Sequence, residues 1–225
     1  MDPSLPLEHV SIAPEGAHDR PPSAVLLHGR GADEHDLLQV GDRLPDGLHL
    51  LSVRAPNRLG PGYTWYDLDL SAGGLQASQP DEADYTEALS LLDRFLEAAV
   101  EAYQLDPDRV GFVGFSQGAI VSLGSLLEGA LRPAWVVGLH GYLPARYDSS
   151  VEVTTSDTPV FLGAGATDEV IPASRVERAA QRLEEFGYPV TLNTYDFGHG
   201  IAREELEDVA EFIDARLGSA TSERV

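Results

Sequence analysis

The chain of 225 residues has no cysteine, which excludes disulfides, thiolate metal sites and a cysteine nucleophile. It has no lysine either, since all 15 basic residues are arginine. A phosphate loop of the G-x-x-x-x-G-K-[ST] type is therefore excluded. No run approaches the roughly 18 to 20 apolar residues that span a bilayer. The start, Met1 to Pro14, carries neither a basic leader nor an apolar signal core, so a cytoplasmic protein without a membrane span is expected. Positive charge is scarce: 37 acidic residues face those 15 arginines, for a net charge of -22. Nucleic acid is thereby an unsuitable partner. Self-repulsion at such a charge opposes compaction, and at about 1 M salt the Debye length falls to about 3 Å and removes most of that penalty. With the acid excess spread from Glu8 to Glu223, a halophilic protein of a high-salt cytoplasm is expected.

The apolar fraction of 43% is enough for a sizeable core, and the length suits one domain. Residues 1–217 are expected to form it, with 218–225 as a frayed tail. Short β-branched apolar runs alternate with amphipathic stretches, the pattern of an α/β fold with a mostly parallel central sheet and helices on both faces. Strands are predicted at Glu8 to Ile12, Ala24 to Leu27, Leu48 to Val53, Val110 to Phe115, Trp135 to Leu139, Val160 to Gly163 and Val190 to Tyr195. Helices are predicted near Glu34 to Arg43, Asp81 to Tyr103, Gln117 to Leu127, Ala173 to Phe186 and Arg203 to Leu217, with Pro80 in the first turn of the second. Leu59 to Gln79 lacks periodicity, carries Trp65 and Tyr66, and is too long for an ordinary connection, so these two aromatics are expected to line a binding site.

Gly114-Phe115-Ser116-Gln117-Gly118 matches the G-x-S-x-G elbow, and it lies between a predicted strand and a predicted helix as that turn requires. A serine hydroxyl needs an adjacent base, and in folds with this elbow the chain order is Ser, then Asp or Glu, then His. His199 follows the last predicted strand between two glycines and is the candidate base. Buried structural roles fit His28 and His140 better. Asp168 follows the strand Val160 to Gly163 and is the candidate acid that orients the imidazole, with Glu169 and Asp196 as rivals. Backbone N–H groups of Gln117 and Arg30 are expected to form an oxyanion hole, Arg30 lying in the glycine-rich stretch Leu27-His28-Gly29-Arg30-Gly31. Gly163-Ala164-Gly165 lacks the third glycine of a dinucleotide fingerprint.

These segments together resemble the phospholipase/carboxylesterase family of α/β-hydrolases, which includes the acyl-protein thioesterases. The resemblance runs from about Ala24 to Phe212. Besides the elbow and the His28-Gly29-Arg30-Gly31 stretch, Arg54-Ala55-Pro56-Asn57 with Trp65-Tyr66-Asp67 is similar to the family's substrate-side loop, and Gly141 to Pro144 to the loop after the following strand. Asp168 with Val170 to Pro172 and Gly198-His199-Gly200 are similar to its acid and histidine motifs. Ala119, His140 and Ala164 depart from its common residues. The resemblance implies an α/β-hydrolase fold, no metal, no organic cofactor, and in many members a homodimer. It implies a serine carboxylesterase acting on small-molecule esters. With no lid inserted between Gly141 and Thr158, short to medium acyl chains are expected. A thioesterase or lysophospholipase, or a non-catalytic binding protein on the same scaffold, are the alternatives.

Overall fold

The computed structural model describes residues 5–16, 19–149, 153 and 155–219. Three strands come first: β1 (His9–Ile12), β2 (Ser23–Leu27) and β3 (His49–Val53). Four short ones follow: β4 (Asn57–Leu59), β5 (Gly62–Thr64), β6 (Leu68–Asp69) and β7 (Gln79–Pro80). The remaining strands are β8 (Val110–Phe115), β9 (Trp135–Leu139), β10 (Val160–Gly165) and β11 (Val190–Tyr195). The helices are α1 (Leu38–Gly41), α2 (Glu82–Ala102), α3 (Gln117–Glu128), α4 (Ala173–Glu185) and α5 (Arg203–Ser219). Seven strands form one sheet in the order β1, β3, β2, β8, β9, β10, β11, parallel throughout except for β1 against β3.

Strands β2, β3 and β9 are buried along their whole length, as strands covered on both faces must be. Their side chains alternate between two cores. Val25, Leu27, Phe112, Val136 and Leu162 join residues of α2, α3 and α4, whereas Leu26, Val113, Val137 and Phe161 join residues of α1 and α5. The parallel pairing brings the carboxyl ends of β2, β8, β9, β10 and β11 to one edge, where open parallel sheets bind ligands.

Helix α2 buries Tyr85, Ala88, Leu89, Leu92, Phe95, Leu96 and Ala99 on one stripe. Its start is Asp81, whose carboxylate accepts from the N–H groups of Ala83 and Asp84. Pro80 stands before that cap, in β7 opposite Leu68, and not in the first helical turn. The helix expected over 34–43 shrinks to Leu38–Gly41, because Asp33 Oδ1 takes the His35 N–H in a local turn and Glu34 is held by Arg54. The segment expected as an irregular loop contains two small ladders, β4 with β5 and β6 with β7. Of the expected tail, Gly218 and Ser219 continue α5, and residues 220–225 lie outside the described residues.

The cap generates a stability prediction. Asp81→Ala is expected to cost about 1 kcal/mol, the usual loss for removing an N-cap carboxylate, read as a lower midpoint in a urea melt. No change in midpoint would mean that α2 is held by its buried stripe alone.

Candidate active site

Strand β8 ends at Phe115 and α3 begins at Gln117, which leaves Ser116 as the whole turn. It adopts φ 54 and ψ -116, a conformation that residues with a side chain rarely take. The Ser116 N–H donates to Leu139 O at 2.9 Å, and its carbonyl accepts from Ile120 N at 3.1 Å. Both flanking glycines are sterically required. A Cβ on Gly114 would lie 2.4 Å from Gly118 O, and one on Gly118 would lie 1.8 Å from Leu27 O.

Around this serine the structure brings His199 and Asp168 together. His199 Nε2 stands 3.0 Å from Ser116 Oγ, and Nδ1 stands 2.8 Å from Asp168 Oδ2. Asp168 Oδ1 accepts from Val170 N at 2.8 Å and Ile171 N at 2.9 Å. Burial of Asp168 disfavours its charge, but the bonds from His199, Ile171 N, His140 and Val170 N outweigh burial and hold its pKa below the ordinary value. A carboxylate there fixes the His199 proton on Nδ1, so Nε2 offers its lone pair to the serine hydroxyl. The rival Glu169 is exposed and uses its backbone carbonyl toward Gln76. Asp196 is exposed as well.

The stretch after β2 is held from three directions. His28 Nδ1–H donates to Gly29 O at 2.7 Å, and Nε2 accepts from Ala55 N at 3.1 Å. Burial lowers the His28 pKa and favours this neutral form. Gly31 N donates to Tyr63 O and Tyr63 N to Ala32 O, so the β4–β5 hairpin pairs with the loop. Further on, Arg54 grips the Glu34 carboxylate with Nε at 2.6 Å and Nη2 at 2.5 Å, and this grip lowers the Glu34 pKa. Arg54 and Ala55 thus brace the loop and are absent from the cleft wall. The Gln117 side chain ties α3 to the residues at and after the end of β5. Its Oε1 accepts from Thr64 Oγ1 and Trp65 N, and its Nε2 donates to Tyr66 O. The backbone N–H of Gln117, in the first turn of α3, has no acceptor within the helix. Arg30 N–H makes no hydrogen bond among the described residues.

A cleft of about 470 Å³ opens beside Ser116 and His199, with Arg30 and Gln117 at its edge. Tyr66, Leu68, Leu75, Ile120, Tyr142, Val170 and Ile171 supply apolar wall. The excursion between β3 and α2 therefore covers the site, and Tyr66 lines the cleft. Trp65 does not. It is fully buried, and its indole N–H donates to His28 O at 2.9 Å, so the ring supports the loop from behind. Sequence reasoning also missed Ser78, whose carbonyl accepts from the Tyr142 hydroxyl, and the contacts of His140 to Asp168 and Glu205. The position of His140 at the end of β9, beside the strand that carries Asp168, was the available signal for the latter.

The parallel sheet, the elbow and the cleft at the strands' carboxyl edge define an α/β-hydrolase. The phospholipase/carboxylesterase family model matches residues 9–217, and the chain belongs to that family. It is similar to MhqD of Bacillus subtilis (strain 168), whose name assigns it no specific reaction, with 31% identity over 84% of this chain and 90% of that protein. Acyl-protein thioesterase 1 of Candida albicans (strain SC5314 / ATCC MYA-2876) shares 26% identity over 85% of this chain and 90% of its own. Among solved structures, the carboxylesterase of Bacillus cereus superposes with a TM-score of 0.82 at 25% identity, covering 93% of this chain and 94% of the other. The chain is thus an enzyme, a hydrolase of this family. No helix among the described residues is long and apolar enough to cross a membrane.

The placement of Trp65 yields a prediction. Trp65→Phe keeps an aromatic ring but strands the buried His28 carbonyl, with an expected loss of about 1 to 3 kcal/mol seen as a lower melting temperature. Preference among acetate to dodecanoate esters should stay as in the wild type. A shifted chain-length profile would place the ring in substrate contact.

Proposed function

We propose that the enzyme hydrolyses carboxylic esters of short to medium acyl chains through an acyl-enzyme on Ser116. The observation that carries this reading is the continuous hydrogen-bonded line from Ser116 Oγ through His199 to Asp168 Oδ2. His199 Nε2 takes the hydroxyl proton as Ser116 Oγ bonds to the ester carbonyl carbon. The carbonyl oxygen becomes an oxyanion beside the N–H groups of Arg30 and Gln117. Asp168 stabilises the imidazolium that forms and keeps the ring in the useful tautomer. Collapse breaks the ester C–O bond, and His199 gives its proton to the departing alcohol. Water then repeats the sequence on the acyl-enzyme, releases the acid and restores the serine. The apolar wall from Leu68 to Ile171 supports an acyl group bound beside the serine, and the cleft volume suits a small one.

A thioester substrate is the second reading, favoured by the similarity to a protein named acyl-protein thioesterase 1. The same residues would cleave a C–S bond, and parallel ester and thioester series separate the two. For the nucleophile, Ser116→Ala is expected to lower kcat by about 10⁴ to 10⁶ and Asp168→Asn by about 10⁴, each in a folded protein. Fluorophosphonate should label the wild type and leave Ser116→Ala unlabelled. Ester turnover in Ser116→Ala above about a tenth of wild type would remove the serine from this role.

The proposal extends to the medium, a high-salt cytoplasm, and rests there on the charge of -22 alone. Screening of carboxylate repulsion should raise the melting temperature steadily between about 0.1 and 3 M KCl. A flat or falling series contradicts the salt requirement and leaves the ester chemistry intact.

A further inference from the structure

Asp168 Oδ2 faces a second histidine that the reaction above does not use. His140 Nδ1 lies 2.9 Å from that oxygen, and its Nε2 lies 3.3 Å from Glu205 Oε2 on α5. All three side chains are fully buried. A neutral imidazole carries one N–H and would turn a lone pair toward one of these carboxylates, whereas an imidazolium donates to both. Glu205 Oε2 also accepts from Ala202 N at 3.2 Å, and Oε1 has no hydrogen-bond partner among the described residues. Among them, no arginine lies within ion-pair distance of Glu205, and His140 is the ionisable base beside it. Two aromatic rings also lie against His140, Phe115 from β8 and His199, each centred 5.7 Å away.

The backbone is arranged around this bridge. Gly163 of β10 leaves room for it, since a Cβ there would lie 1.9 Å from Glu205 Oε1, whereas a Cβ at Gly165 would first meet Phe197 O and Gly198 O at 2.6 Å and then His140 Cε1 at 3.0 Å. These are the two glycines that fit no nucleotide motif. His140 itself has φ 53, in the left-handed region that residues with a Cβ avoid, with its N–H on Gly163 O at 2.8 Å. Burial opposes its charge, yet Glu205 and then Asp168 outweigh burial and hold its pKa above 6.5.

We infer that His140 is a positioning residue that works as a resident imidazolium, clamping Asp168 Oδ2 toward His199 and offsetting part of the Asp168 charge. This rests on the Ser116, His199 and Asp168 reading above. The consequence is electrostatic. A carboxylate draws positive charge onto the ring it holds. A fixed cation across the shared oxygen opposes that charge, so its removal is expected to move the acidic limb of the rate profile. At the ring separation observed here and an effective dielectric near 20, the effect amounts to about one to two pH units.

Three measurements on the full chain test it. The first is ¹⁵N NMR of histidine-labelled wild type, where one resonance pair, lost in His140→Asn, should show both ring nitrogens protonated at about pH 7. The second is the kcat/KM profile against pH with p-nitrophenyl acetate for wild type, His140→Asn and Glu205→Gln. Asparagine tolerates positive φ and keeps an amide donor near Asp168, but carries no charge. In both variants the acidic limb should move up by about one to two pH units, with rates above the limb within about threefold of wild type and KM within about twofold. A neutral His140 at pH 7 overturns the inference; if His140→Asn does not fold, the His140 resonances are assigned in the wild type through the Phe115 ring beside them. An unmoved limb in a variant shown folded by its thermal melt also overturns it, including the case where the rate falls by one factor at every pH and the limb stays in place. The third measurement, fluorophosphonate labelling of the wild type, separates the two levels. Absence of label at Ser116 overturns the site reading, whereas the His140 protonation state is read without turnover.

Discussion

Helix α3 meets the end of β2 backbone against backbone, with the Cβ position of Gly118 only 1.8 Å from Leu27 O. No side chain can enter that contact, so the separation between the elbow and the loop that begins at His28 is set by main-chain geometry. The remaining braces hold the loop against this contact. His28 ties the loop to Ala55, Arg54 ties Glu34 to the end of β3, and Gln117 ties the first turn of α3 to Thr64, Trp65 and Tyr66. Ser116 can remain in its unfavourable backbone conformation because Leu139 O and Ile120 N hold it from both sides.

The parallel sheet was legible because its strands are short continuous apolar runs, and the long helices because their buried residues repeat at helical spacing. The predicted bounds of all seven sheet strands and four of the five helices fall within two residues of those observed. The failures share a cause. Helix α1 is shortened by side chains that bind distant or local partners, Glu34 to Arg54 and Asp33 to His35 N. Pro80 is claimed by a ladder with Leu68. At the site, Ser116, Asp168 and His199 could be picked out because each follows a strand in a fixed chain order. Trp65 could not be placed, since an aromatic in an irregular segment reads the same whether it faces a cleft or a core. His140 reads as a buried histidine from sequence, and its partners lie 28 and 65 residues away.

Charge is distributed in two regimes. Three described carboxylate residues are buried, Glu34, Asp168 and Glu205, and each has a cationic or imidazole partner placed against it. Buried ions are tolerated only with such compensation. The exposed acids face solvent, where salt rather than a fixed partner moderates their repulsion. The same residue type is thus an element of geometry inside and a source of field outside, and the two should respond differently to ionic strength.

The excursion between β3 and α2 supplies the cleft wall through Tyr66, Leu68 and Leu75, and it grips the elbow and the loop after β2 through Thr64, Trp65 and the β4–β5 hairpin. It is therefore a poor unit for transplantation. A segment grafted from a relative to change the preferred acyl group would also replace the residues that seat Gln117 and His28. Recombination at this loop has to carry the matching stretch after β2 with it, so the smallest exchangeable piece is the pair of segments, and natural diversification of the pocket is expected to follow the same coupling.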